Sequence, residues 1–153
     1  MKLQKRMKGF TLIELLIVIA LIAVLAGAVI VALNPARQFA LARNSERWSH
    51  ANAILGLISQ NTVENRGTFT CAAGAIPTST ATLIASTGGY DLCSCLVPTL
   101  TNALPSDPSG GAAHYTSCAD YNTGYTIVMN ASSSRITIAA PSAELSASIS
   151  VTQ

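Results

Sequence analysis

The sequence predicts an α+β chain in which one long N-terminal helix, apolar in its first half and amphipathic in its second, packs against a small antiparallel β-sheet. Three stretches carry that expectation. From Phe10 to Leu33 only Thr11 and Glu14 interrupt a run of apolar or small residues. Ala51, Ile54, Leu55 and Ile58 then recur at i, i+3, i+4 and i+7, a spacing that lines one face of a helix. Towards the C-terminus, "GYTIVMN" and "SRITIAA" are β-rich runs separated by a few small polar residues, as the arms of a hairpin are.

The first helical segment, residues 10–33, follows a short basic leader, residues 1–9, which holds Lys2, Lys5, Arg6 and Lys8. At 1.5 Å per residue the segment reaches about 36 Å, enough to cross a hydrocarbon core of about 30 Å. The basic cluster stays on the cytoplasmic side by the positive-inside rule, which gives a single pass with the N-terminus in and the C-terminus out. A secretory signal peptide would share the basic start and apolar middle, with "AGA" at 26–28 as its cleavage site. The carboxylate within the run and the apolar "VIVAL" beyond the supposed cut argue against it. A plain membrane anchor meets the same difficulty at Glu14, because an ionised acid at the centre of a spanning helix costs about 2.5 to 3.5 kcal/mol. No cation lies nearby once the run begins. Cutting between Gly9 and Phe10 would create one, an α-amino group four residues before Glu14, and a neighbouring copy shifted along its axis could set that amine against this carboxylate.

Here "KGFTLIELLIVIALIAVLAG", residues 8–27, resembles the leader and start of type IV prepilins and type II secretion pseudopilins: a basic leader ending in glycine, then phenylalanine, then glutamate at the fifth position after the cut. The resemblance implies that a prepilin peptidase, a membrane aspartic protease, cleaves after Gly9 and that the Phe10 amine is then methylated, which keeps its positive charge. It implies that Glu14 pairs with the Phe10 amine of an adjacent subunit in a homo-oligomeric helical filament. Register selection is the best-attested use of such a buried pair. The implied partners are membrane lipid before assembly, the peptidase and methyltransferase, an inner-membrane assembly platform, and other pilins. The implied fold is pilin-like.

Residues 34–62 continue the helix in amphipathic form. Pro35 has no N–H for the carbonyl of Val31, so a kink or local break is expected there. Arg37, Arg43, Glu46, Arg47 and Trp48 read as a solvated face with an interfacial tryptophan, or as contacts to neighbouring subunits. His50 is isolated from other ligands and reads as a surface or packing residue.

Residues 63–153 are expected to form a small disulfide-bonded globular head. Gly, Pro, Ser and Thr become frequent after Val63, and Pro77 to Ser86 holds a short helix or none. Strands are expected at about 124–130 and 134–140, with "LSASISV" another strand or a loose tail. Cys71, Cys93, Cys95 and Cys118 are an even count in an exported, small-core region and read as disulfides, each worth roughly 2 to 4 kcal/mol. A four-thiolate zinc site is the rival, but the spacing lacks the paired CxxC of zinc modules. Cys93 and Cys95 are too close to pair with each other, so each reaches to Cys71 or Cys118, and both connectivities stay open. "ALPSDPSGGAAHY" and "CADYNTGY" resemble the loop region of major pseudopilins, where acids and carbonyls can hold calcium, and Asp107 and Asp120 would be the acids to serve. Turn chemistry accounts for the same residues equally well, and the expectation is no cofactor and no metal.

Beyond the leader the chain has five arginines and no lysine against seven acids, so no basic surface points to nucleic acid. His50 and His114 accompany no nucleophile motif, and no phosphate-cradling glycine loop occurs. The expectation is not an enzyme but a structural subunit of a type IV pilus-like surface filament. The alternatives are a pseudopilin of a type II secretion system, in a periplasmic pseudopilus, and a non-polymerising single-pass anchor presenting a binding module.

Overall fold

A computed structural model describes residues 9–153, so the basic side chains of the leader lie outside the described residues. The chain divides into two compact units, one up to Gln38 and one from Phe39 to Gln153.

In the first unit, helix α1 spans Leu12–Leu33. Its 22 residues reach about 33 Å, long and apolar enough to cross a membrane. Thr11, in extended conformation, caps its start. The break expected at Pro35 occurs at the residue before it, since proline sterically disfavours the α region for its predecessor. Asn34 takes the left-handed conformation (φ 42°, ψ 75°) and ends α1. Its Oδ1 and carbonyl then both accept from the Arg37 N–H, at 3.3 and 3.0 Å, starting helix α2 at Pro35. One asparagine thus closes one helix and caps the next, with proline at the first helical position where no N–H is needed.

Helix α2 spans Pro35–Glu64. The Ala51, Ile54, Leu55 and Ile58 stripe is buried, as its spacing predicts. Beyond the helix, Arg66 and Gly67 turn left-handed and the Gly67 N–H bonds the Thr62 carbonyl at 2.8 Å. The second unit continues with β1 (Thr82–Ala85), a single helical turn α3 (Cys93–Leu96), β2 (His114–Ser117), β3 (Asp120–Met129), β4 (Ile136–Ala139) and β5 (Ser150–Thr152). The pairings between these strands are antiparallel, in the order β1-β3-β4-β5, with β2 also on β3.

Strand β3 organises the sheet. Tyr121, Thr123, Tyr125 and Ile127 alternate inward along it, and they pack with Ile84, Leu92, Leu96, Ile138 and the α2 stripe into one core. The expected hairpin is β3–β4, with Val128 opposite Thr137 and Met129 opposite Ile136. Two open readings are resolved. The 77–86 segment holds no helix but strand β1, because "TLIA" pairs with β3 and buries Ile84 and Ala85. Of "LSASISV" only the end is strand; Leu145 and Ser146 have positive φ, which a strand does not allow.

Candidate functional site

Two clusters bear on function. The first lies at the start of α1. Gly9 and Phe10 are exposed. Thr11 and Glu14 form a reciprocal capping box: the Glu14 N–H donates to Thr11 Oγ1 at 3.2 Å, and Glu14 Oε2 accepts from the Thr11 N–H and hydroxyl, both at 3.1 Å. The carboxylate also sits at the positive end of the α1 dipole. Within a single chain, then, Glu14 already has three hydrogen bonds to Thr11. The Thr-x-x-Glu spacing at 11–14 was legible in the sequence and supplies the local partner that a search for cations alone overlooks.

Helix α1 buries no residue. Every large apolar side chain from Phe10 to Leu33 is at least half exposed, Val18 being the least at 50 %. A continuous greasy cylinder of this kind requires lipid or other apolar helices around it.

The second cluster is a buried charge network in the head, centred on Arg47, whose side chain is wholly inaccessible. Its guanidinium grips Asp107 with two bonds, Nε to Oδ2 at 2.7 Å and Nη2 to Oδ1 at 3.1 Å. Nη1 donates to Asn44 Oδ1 at 2.8 Å and to Glu144 Oε2 at 3.0 Å, and Nη2 also donates to Ser109 Oγ at 3.0 Å. One turn earlier, Arg43 grips Glu144 in the same bidentate fashion, at 2.7 and 2.6 Å. Asn44 closes the set, donating to the Glu144 carbonyl at 2.8 Å and accepting from the Glu144 N–H at 3.0 Å. Asp107 takes further bonds from the Ser109 N–H and hydroxyl. Hydrogen bonds from Arg43, then Arg47, hold Glu144 down to about 2. Burial opposes ionisation of Asp107, but the bonds from Arg47 and Ser109 outweigh it and keep its carboxyl below the usual range. The Asp107 bond raises Arg47 above its ordinary value.

Gly124 makes room for this arrangement. It lies at φ +75°, and a Cβ there would stand 2.9 Å from the Cβ of Asp107 and 3.2 Å from that of Ala113.

Several sequence expectations change here. Arg47 leaves the solvated face expected for it: it falls in register with Ala51, Ile54 and Ile58, so the helix turns it inward, while Arg43 stays partly exposed. Arg37, Glu46 and Trp48 stay exposed. His50 is a packing residue, as expected: its Nδ1 lies 3.0 Å from the Tyr125 hydroxyl, with the rings edge to face. The two acids named for calcium have separate partners. Asp107 belongs to Arg47, whereas the exposed Asp120 meets His114 Nε2 at 3.1 Å. Among the described residues no group of three or more His, Cys, Asp or Glu stands together as a metal-ligand set. Glu144 carried no sequence signal, lying 97 residues from Arg47, whereas Asn44, one turn before Arg47 on α2, and Ser109, two residues after Asp107, were within reach of local spacing.

The cysteines pair Cys71–Cys95 and Cys93–Cys118, with Cα separations of 4.8 and 5.4 Å. This selects one of the two open connectivities. The turn α3 presents both of its cysteines, one to the 71 loop and one to the β2–β3 corner.

Residues 4–30 match the family profile described as the prokaryotic N-terminal methylation motif, the type IV prepilin-type signature. Neither the curated proteins nor the solved structures searched give a match. The match, confined to the N-terminal segment, supports a pilin- or pseudopilin-like structural protein, and the apolar helix α1 fits membrane anchoring of such a protein.

Proposed function

We propose that this chain is a structural subunit of a type IV pilus-like surface filament. It is held in the cytoplasmic membrane with its N-terminus in and its head out, cleaved between Gly9 and Phe10, methylated at Phe10, and polymerised through α1. The observation that carries this reading is the coincidence, within the matched motif, of Gly9 and Phe10 just ahead of, and Glu14 in the first turn of, a helix that buries none of its residues.

Assembly then follows from desolvation. Leaving lipid for a bundle of identical helices keeps the apolar surface buried but takes Glu14 further from water, so its charge needs a full counter-charge. The Phe10 ammonium of a neighbour supplies it, and only one axial stagger brings the two together. Glu14 would exchange its Thr11 hydrogen bonds, sufficient for storage, for an ion pair that sets the register.

Intact mass of the mature chain tests this. A methylated phenylalanine at the N-terminus is expected, whereas retention of residues 1–9 indicates the non-polymerising anchor. Recovery of the protein in sheared surface fibres separates the pilus from a periplasmic secretion pseudopilus.

A further inference from the structure

We propose that Arg47 is the resident cation of the 103–113 loop, so that the head closes on its own guanidinium and takes no calcium there. Calcium binds through six to eight oxygens and needs carboxylates free to turn towards it. In this loop both oxygens of Asp107 are committed, to Arg47 and to Ser109. The second carboxylate of the cluster, Glu144, is committed through both oxygens to Arg43 and Arg47. Asp120, the other acid the resemblance suggests, faces His114 at the exposed start of β3.

The positions that metal-bound oxygens would take around an ion are taken instead around a guanidinium. Two carboxylates from separate segments, the loop before β2 and the loop before β5, converge on Arg47 with a serine hydroxyl and an asparagine carbonyl. With Arg43 the cluster holds two cations and two anions, so its formal charge is zero. A divalent ion would add two uncompensated charges and find no unoccupied carboxylate oxygen. Among the described residues no buried side-chain nitrogen or oxygen lacks a hydrogen-bond partner. A planar fork also fixes direction, which a spherical ion does not: Nε and Nη2 face the loop while Nη1 faces Glu144.

The test uses the full chain in detergent micelles, with head unfolding followed by near-ultraviolet circular dichroism in calcium and in excess chelator, and calcium binding followed by calorimetry. The wild-type midpoint should be the same in both media and the calcium titration flat. Arg47→Gln should lower the midpoint, and Arg47→Lys, which keeps the charge but not the fork, should fall between the two. A midpoint raised by calcium in the wild type, or an Arg47→Gln chain that melts where the wild type does, overturns the proposal. Should Arg47→Gln not fold, the wild-type comparison and Arg47→Lys still decide it.

Discussion

Asp107 and Arg47 stand 60 positions apart in sequence and are joined side by side by two hydrogen bonds, of 2.7 and 3.1 Å, with both side chains almost fully excluded from water. A pair in that setting gains little net free energy over apolar residues of the same shape, because desolvation of the charges offsets their attraction. Breaking it is another matter, since one charge is left buried alone.

Arg47→Met is therefore expected to destabilise the head by about 3 to 5 kcal/mol, measured by denaturant unfolding. Arg47→Met combined with Asp107→Leu should be less damaging than Arg47→Met alone, because both charges leave together. If the two losses simply add, the pair is not coupled as the geometry requires.

Stability should fall in acid. Glu144 ordinarily titrates near 4.5 and is held at about 2 by Arg43 and Arg47; Asp107 is lowered as well. A carboxylate whose folded value is depressed adds stability above its unfolded value, and that contribution disappears as pH drops through the folded one. The unfolding midpoint should be level above about 4.5 and decline towards about 2. In Glu144→Gln the slope over this window should be shallower.

Gly124→Ala should cost about 1 to 3 kcal/mol, since a methyl group meets the Asp107 Cβ at 2.9 Å and the φ of +75° is strained for any L-residue. The loss should be smaller in a background that already carries Arg47→Met with Asp107→Leu, where the loop is released. Denaturation curves of the four chains read this directly.

Peptide mapping without reduction should recover Cys71 linked to Cys95 and Cys93 linked to Cys118. Replacing both members of either pair by serine should lower stability by roughly 3 kcal/mol, as expected for loops of 24 and 25 residues. Recovery of a Cys71–Cys93 peptide would contradict the fold around α3.

Mutation can separate the Thr11–Glu14 cap from the assembly role proposed for Glu14. Thr11→Ala removes the cap and should weaken the first turn of α1 by about 1 kcal/mol, seen as faster exchange of the Glu14 amide in micelles. Glu14→Val should be inserted and processed yet enter filaments poorly. Normal filament yield from Glu14→Val would remove the assembly role proposed for the acid.

What the sequence determined by itself lies in its periodic and its dense segments. The apolar run, the break before Pro35, the buried stripe from Ala51 to Ile58 and the β3–β4 hairpin are all set by neighbours a few residues apart, where spacing alone decides which side chains share a face. The register of Gly9, Phe10 and Glu14 is of the same local kind. Tertiary structure decided the rest. Whether Arg47 faces water or Asp107, which cysteine each half of α3 reaches, and that "TLIA" is a strand all depend on partners dozens of residues away. A polar side chain carries no mark in sequence of the distant group that will neutralise it. Only closure of the head around β3 brings Asp107 and Glu144 to the helix, and with them the reason a guanidinium can be buried there.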